Sequence, residues 1–279
     1  MMSNPISRRD VLKLTAAAGL ATAVPSTSTE ATQGLRLFGP APGWVTGNLT
    51  GAAALTEALK QEGCCVVFGI PGAQENELWD TFKARNLPYH LVTHEFSAAA
   101  GADGYARSTG QPGVLCVVPG PGVTNALTVL GEALLDSVPL VCIVGDVARG
   151  DKYRPFQIHG LPNIGLLQNV CKEVIDVRGV GGIPWAIRQA FRVARSGEPG
   201  PVSVVIPYNL LTTAHHYNDG PLGPIPIPVD DANFARALSL LCDQRLRVGI
   251  YAGLGCMDYS ASLVRVAEML QAPVATNLS

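Results

Sequence analysis

Residues 113–146 read GVLCVVPGPGVTNALTVLGEALLDSVPLVCIVGD. GVLCVV (113–118) is a short unbroken apolar run that ends in Pro-Gly, as a strand buried on both faces does. Val123–Leu135 carries apolar residues at helical spacing, and PLVCIVG (139–145) is a second buried strand. Strand, helix, strand in this order predicts two parallel strands joined across a helix.

The same alternation runs outward in both directions. LTGAAALTEALKQEG (49–63) predicts a helix capped by Asn48 or Thr50, and CVVFGI (65–70) a buried strand. Helices over Glu75–Arg85, Phe96–Ser108, Leu161–Val170 and Pro184–Ser196 alternate with strands YHLVT (89–93), KEVIDV (172–177) and PVSVVI (201–206). The fold class is α/β: a parallel sheet flanked by helices in three α/β/α layers. Such sheets bind ligands where loops leave the carboxyl ends of the strands. Those loops are GIPGAQ (69–74), THE (93–95), VPGPGVTN (118–125) and GDVARG (145–150).

A chain of 279 residues has room for about two domains. The first spans 49–214; HHYNDGPLGPIPIPVDD (215–231) reads as a proline-rich linker. After it come a helix (Ala232–Cys242), a strand RVGIYAG (247–253), a helix (Ser260–Leu270) and the opening of another strand, PVATNLS (273–279). These residues predict the start of a second α/β domain over 232–279, truncated in mid-pattern.

The amino terminus, SRRDVLKLTAAAGLATAV (7–24), has paired arginines before a short apolar stretch. That order predicts a twin-arginine signal peptide over 1–31, cut between Ala23 and Ala31, with a flexible lead over 32–48. The expected destination is periplasmic or secreted; the alternative is cytoplasmic, with the segment an ordinary N-terminal helix. No apolar run approaches the ~18 residues of a membrane span.

A net charge of -2 gives no basic stripe for nucleic acid. Charged residues are 15% of the chain, below the usual ~25%, which implies a surface partly covered by a partner. Seven cysteines include no C-x-x-C, so neither a zinc site nor a redox pair is expected. No metal ligands are assigned; His215-His216 reads as solvated. PGPGVTN lacks the third glycine of a dinucleotide loop, with Asn125 in its place.

GIPG (69–72), His94-Glu95, ADGYAR (102–107), GPGVTN (120–125), DSVPL (136–140), Phe156-Gln157 and GEPGPVSVVIP (197–207) occur together in this order. The set resembles the pyrimidine-binding domain of the thiamine-diphosphate enzymes, in the acetolactate synthase branch. The resemblance covers about Leu49–Tyr208 and, more loosely, the family's middle domain up to Ser279. It implies that Glu95 bonds N1′ of the cofactor's aminopyrimidine and favours the imino form, which takes the proton from C2. It also implies a dry setting for Glu95, with Ser97, Ala98, Ala99, Ala100 and Gly101 as the small residues that admit cofactor and partner. Pro71 and Gly72 would line one side of the pyrimidine pocket, Pro121 and Asn125 the other, and Gln157 would face the substrate.

By the same resemblance the cofactor is thiamine diphosphate and the substrate a 2-oxo acid. The reaction is decarboxylation and carboligation, by a homodimer or tetramer with sites shared between subunits. Mg²⁺ is expected to be held through a G-D-G…N motif in a domain absent from this chain; Asn218-Asp219-Gly220 lacks the context for it. FAD is doubtful, because Glu198 stands where FAD-carrying synthases have arginine. Alternatives are a 2-oxo acid decarboxylase of the same family and a truncated, non-catalytic binding module. Val118-Pro119, where benzoylformate decarboxylases carry a histidine nearby, weighs against the first alternative.

Overall fold

The computed structural model describes residues 43–226, 228 and 230–276. The expected signal peptide (1–31) and most of the expected lead (32–42) lie outside the described residues.

Six strands form one sheet: β2 (Val67–Gly69), β3 (Tyr89–Leu91), β4 (Gly113–Val117), β5 (Leu140–Asp146), β6 (Glu173–Asp176) and β7 (Val202–Pro207). Their order is β3-β2-β4-β5-β7-β6, and every pairing is parallel. Successive residues of one strand serve opposite faces. Val114 and Cys116 of β4 join one core cluster, and Leu115 and Val117 join the other. Val141 and Ile143 of β5 likewise face away from Leu140, Cys142 and Val144. This is why these runs read as unbroken apolar: both faces of the sheet are covered.

The helices divide between the faces. α1 (Gly51–Gln61), α2 (Asn76–Ala84) and α6 (Ile183–Arg195) contribute Leu55, Leu59, Leu78, Phe82, Ile187 and Phe191 to the first cluster. α3 (Glu95–Thr109), α4 (Pro121–Leu135) and the short α5 (Asn163–Leu167) contribute Ala99, Ala102, Val123, Leu130 and Leu167 to the second. The three-layer α/β/α reading is thus the observed architecture. α5 is shorter than the expected Leu161–Val170: Pro162 stands before its first residue, and residues 168–170 form a turn.

Two expectations change. Val45–Thr50, assigned mostly to the flexible lead, is strand β1. It pairs antiparallel with β8 (Ala214–Asp219), which takes in the first residues of the expected linker. The short helix α7 (Tyr208–Leu211) leads into β8. Arg188 of α6, with a side chain 0% exposed, pins this pair. Its guanidinium donates to Asp219 Oδ1 at 2.9 Å, to Glu62 Oε1 at 3.3 Å and to the Gly43 carbonyl at 2.7 Å. Thr50 caps α1, accepting from the Ala53 amide at 3.2 Å.

Residues from Pro228 onward belong to a separate compact unit. It contains α8 (Asp231–Cys242), a parallel pair of β9 (Ile250–Ala252) and β10 (Val274–Thr276), and α9 (Ser260–Leu270). No residue of α8 or α9 is buried.

Candidate functional site

The strands β2, β4 and β5 end in loops that converge at one edge of the sheet. Glu95 is the first residue of α3, and His94 caps it: the Phe96 amide donates to His94 Nδ1 at 3.1 Å. An acidic residue in the first turn complements the helix dipole. Asn125 projects from α4, and its Nδ2 donates to Glu95 Oε2 at 2.9 Å. Glu95 Oε1 accepts no hydrogen bond among the described residues. It lies 3.4 Å from where a Cβ on Gly122 would sit.

Two glycines leave the space here. A Cβ on Gly72 would come within 2.1 Å of Val118 Cγ1, and one on Gly122 within 2.5 Å of Val118 Cγ2. Any side chain at either position would collide with the valine. Gly120 holds φ +64°, and a Cβ there would stand 2.8 Å from the His159 carbonyl.

A polar chain, buried at Asn163 and Asp146, fixes these loops to one another. The Gly120 amide donates to Asn163 Oδ1 at 2.8 Å, and Asn163 Nδ2 donates to Asp146 Oδ1 at 2.9 Å. Arg149 donates to Asp146 Oδ2 at 2.7 Å and also to Asp176 Oδ1. The ends of β4, β5 and β6 are tied together through side chains, so α4 starts, and Asn125 points, from a fixed place.

The structure brings Glu95, Asn125 and Gly72 to this one locus. Pro71 is exposed and borders a depression with Trp79, Tyr89 and Leu91. Pro121 is exposed as the first residue of α4, its carbonyl accepting from Thr124 Oγ1 at 3.0 Å. Gln157 turns to the backbone of its own loop. Its Oε1 accepts from the Ala148 amide at 3.2 Å, and its Nε2 donates to the Ala148 carbonyl at 2.7 Å.

Several of the small residues of α3 are buried within the domain. Ala98, Ala99, Ala102 and Ala106 are buried, and a Cβ on Gly113 of β4 would lie 2.0 Å from the Ala102 carbonyl. Ser97 and Ala100 are exposed, and Glu95 itself is half-buried rather than dry. Glu198 accepts from Ser137 Oγ at 2.7 Å, a loop-to-loop tie.

One functional group escapes the motifs. Glu75, expected only as a helix start, is 0% exposed, and its side chain makes no capping bond. Burial, and next the charge on Glu95, push its carboxyl up to about 8. Among the described residues no group of three or more His, Cys, Asp or Glu is arranged to hold a metal ion. No helix there is long and apolar enough to cross a membrane.

Residues 49–173 match the family of the thiamine pyrophosphate enzyme, N-terminal TPP binding domain. Residues 5–25 match the twin-arginine translocation pathway signal sequence. The chain is 34% identical over 240 residues to the chloroplastic acetolactate synthase of Arabidopsis thaliana, covering 82% of this chain and 35% of that protein. It is 35% identical over 243 residues to the acetolactate synthase large subunit of Buchnera aphidicola, covering 82% of this chain and 42% of that protein. It is 34% identical over 242 residues to the acetolactate synthase of Mycobacterium bovis, covering 82% and 38%. The chain thus spans about two fifths of the length of the curated relatives it matches. The parallel sheet and these matches agree: over residues 49–173 the chain belongs to the thiamine-diphosphate-dependent enzyme family, acetolactate synthase-like, through its N-terminal TPP-binding domain.

Proposed function

We propose that this chain supplies the cofactor-activating half of an exported acetolactate synthase-like enzyme acting on 2-oxo acids. The observation that carries the reading is the free Glu95 Oε1, held by the Asn125 bond to its sister oxygen and facing glycine backbone at the carboxyl ends of a parallel sheet. The donor set fits an aminopyrimidine: one open carboxylate oxygen, and two glycines where any side chain would close the space. Thiamine diphosphate, when bound, supplies the electron sink for decarboxylation and carbon–carbon bond formation.

Glu95 would share a proton with the ring nitrogen N1′, while Asn125 keeps the carboxylate from turning away. Gly72 would give close approach of the pocket wall, with Pro71 and Pro121 shaping the mouths of their loops. Gln157 would meet the substrate by exchanging its bonds to Ala148 for it. Diphosphate and Mg²⁺ would be held by residues of another domain, in a homodimer or tetramer. The twin-arginine signal supports export to the periplasm or beyond it, in the folded state.

The test is the C2–H exchange rate of thiamine diphosphate in the active assembly containing this chain, followed by NMR. Glu95→Gln should slow it by at least about 100-fold, the scale of one positioned acid–base group. Exchange at the native rate would overturn the assignment.

A further inference from the structure

The site holds a second carboxyl that the proposed reaction does not use. Neither oxygen of Glu75 has a hydrogen-bond partner, although the side chain is wholly buried. A Cβ on Gly72 would lie 3.4 and 3.6 Å from its two oxygens, and one on Gly145 would lie 2.8 Å from its Cβ. The same Gly72 position abuts Val118, Val118 abuts Gly122, and Gly122 abuts Glu95 Oε1. Two carboxyls therefore flank one valine clamped between two glycines. The amides of Gly72 and Glu75 and the Trp79 indole N–H lean toward Glu75 and favour its anion, without completing a bond to it. The titratable groups facing it are Glu95 from α3 and the Cys116 thiol from β4. No cation offsets them among the described residues. A buried carboxyl so placed keeps its proton in preference to its charge. One kept for structure alone would have its hydrogen bonds met.

We propose that Glu75 and Glu95 form a carboxyl pair holding one proton, which Glu75 carries, so that Glu95 is the single anion at the pocket. Glu75 is then a positioning residue: it acts on the reacting ring only through Glu95. The pair rests on the thiamine-diphosphate reading for its use, not for its existence.

NMR titration of the chain labelled with ¹³C at the glutamate carboxyls, without cofactor, reads the pair directly. One resonance should titrate near pH 8, disappear in Glu75→Gln, and move its midpoint downward in Glu95→Gln. A Glu75 midpoint near the ordinary 4.5, or one that Glu95→Gln leaves in place, overturns the pair. Should Glu75→Gln not fold, Glu75→Asp removes the labelled resonance while keeping a carboxyl. An uncoupled Glu75 beside lost C2–H exchange in Glu95→Gln breaks the pair and spares the pyrimidine reading; a coupled Glu75 beside native exchange does the reverse.

Discussion

Arg188 and Glu75 are both buried ionisable residues, and their surroundings differ completely. Arg188 donates to Asp219, Glu62 and the Gly43 carbonyl, so its burial ties α6 to the β1–β8 pair. Glu75 lies under the loops at the strand ends with both oxygens unpartnered. Arg188 is satisfied by the scaffold it holds; Glu75 is not, and the proposed pairing with Glu95 accounts for that difference. The contrast separates the clasp of β1 and β8 from the loops of the candidate site.

The largest expected effect breaks the satisfied side. Arg188→Met leaves Glu62 and Asp219 facing an apolar chain, and urea unfolding should show a loss of about 3–5 kcal/mol. The unsatisfied side should respond to pH instead. The Glu75 carboxyl moves from 4.5 unfolded to about 8 folded. Between those values the unfolded chain has released the proton that the folded chain keeps, so stability falls as pH rises and levels off above about 8. Its share of the slope is at most about 1.4 kcal/mol per pH unit. Glu75→Gln should flatten unfolding free energy by that share across this window; an unchanged slope would count Glu75 as an ordinary acid.

Smaller changes sharpen the boundary between the regions. Asn163→Ala strands the Gly120 amide and one oxygen of Asp146, at a cost of about 1–3 kcal/mol in thermal or urea unfolding. Thr50→Ala removes only the cap of α1 and should cost about 1 kcal/mol.

The sheet was legible in the sequence because burial on both faces writes itself as unbroken apolar runs such as GVLCVV. β1 and β8 were not, since VTGNLT and AHHYND are polar and become strands only by meeting across 164 to 174 residues of chain, from Thr50↔Ala214 to Val45↔Asp219. Glu95, Asn125 and Gly72 were legible because recurring motifs carry them. Glu75 was not, because an acid after a Pro-Gly loop reads equally as an exposed helix start; neighbours distant in the chain, such as Gly145, close over it. The alanines of α3 were visible, but four of them are buried, and Ala102 lies close against Gly113 of β4. Gln157 was visible too, though no spacing could foretell that its amide would turn to Ala148.

The β1–β8 pair has a mechanical consequence. Its register sets Val45, where the chain enters, against Asp219, where it leaves. A pull that separates the two ends loads that rung first and then each next rung in turn, up to Thr50 and Ala214. The clasp therefore opens as a zipper, one rung at a time, before tension reaches the parallel sheet.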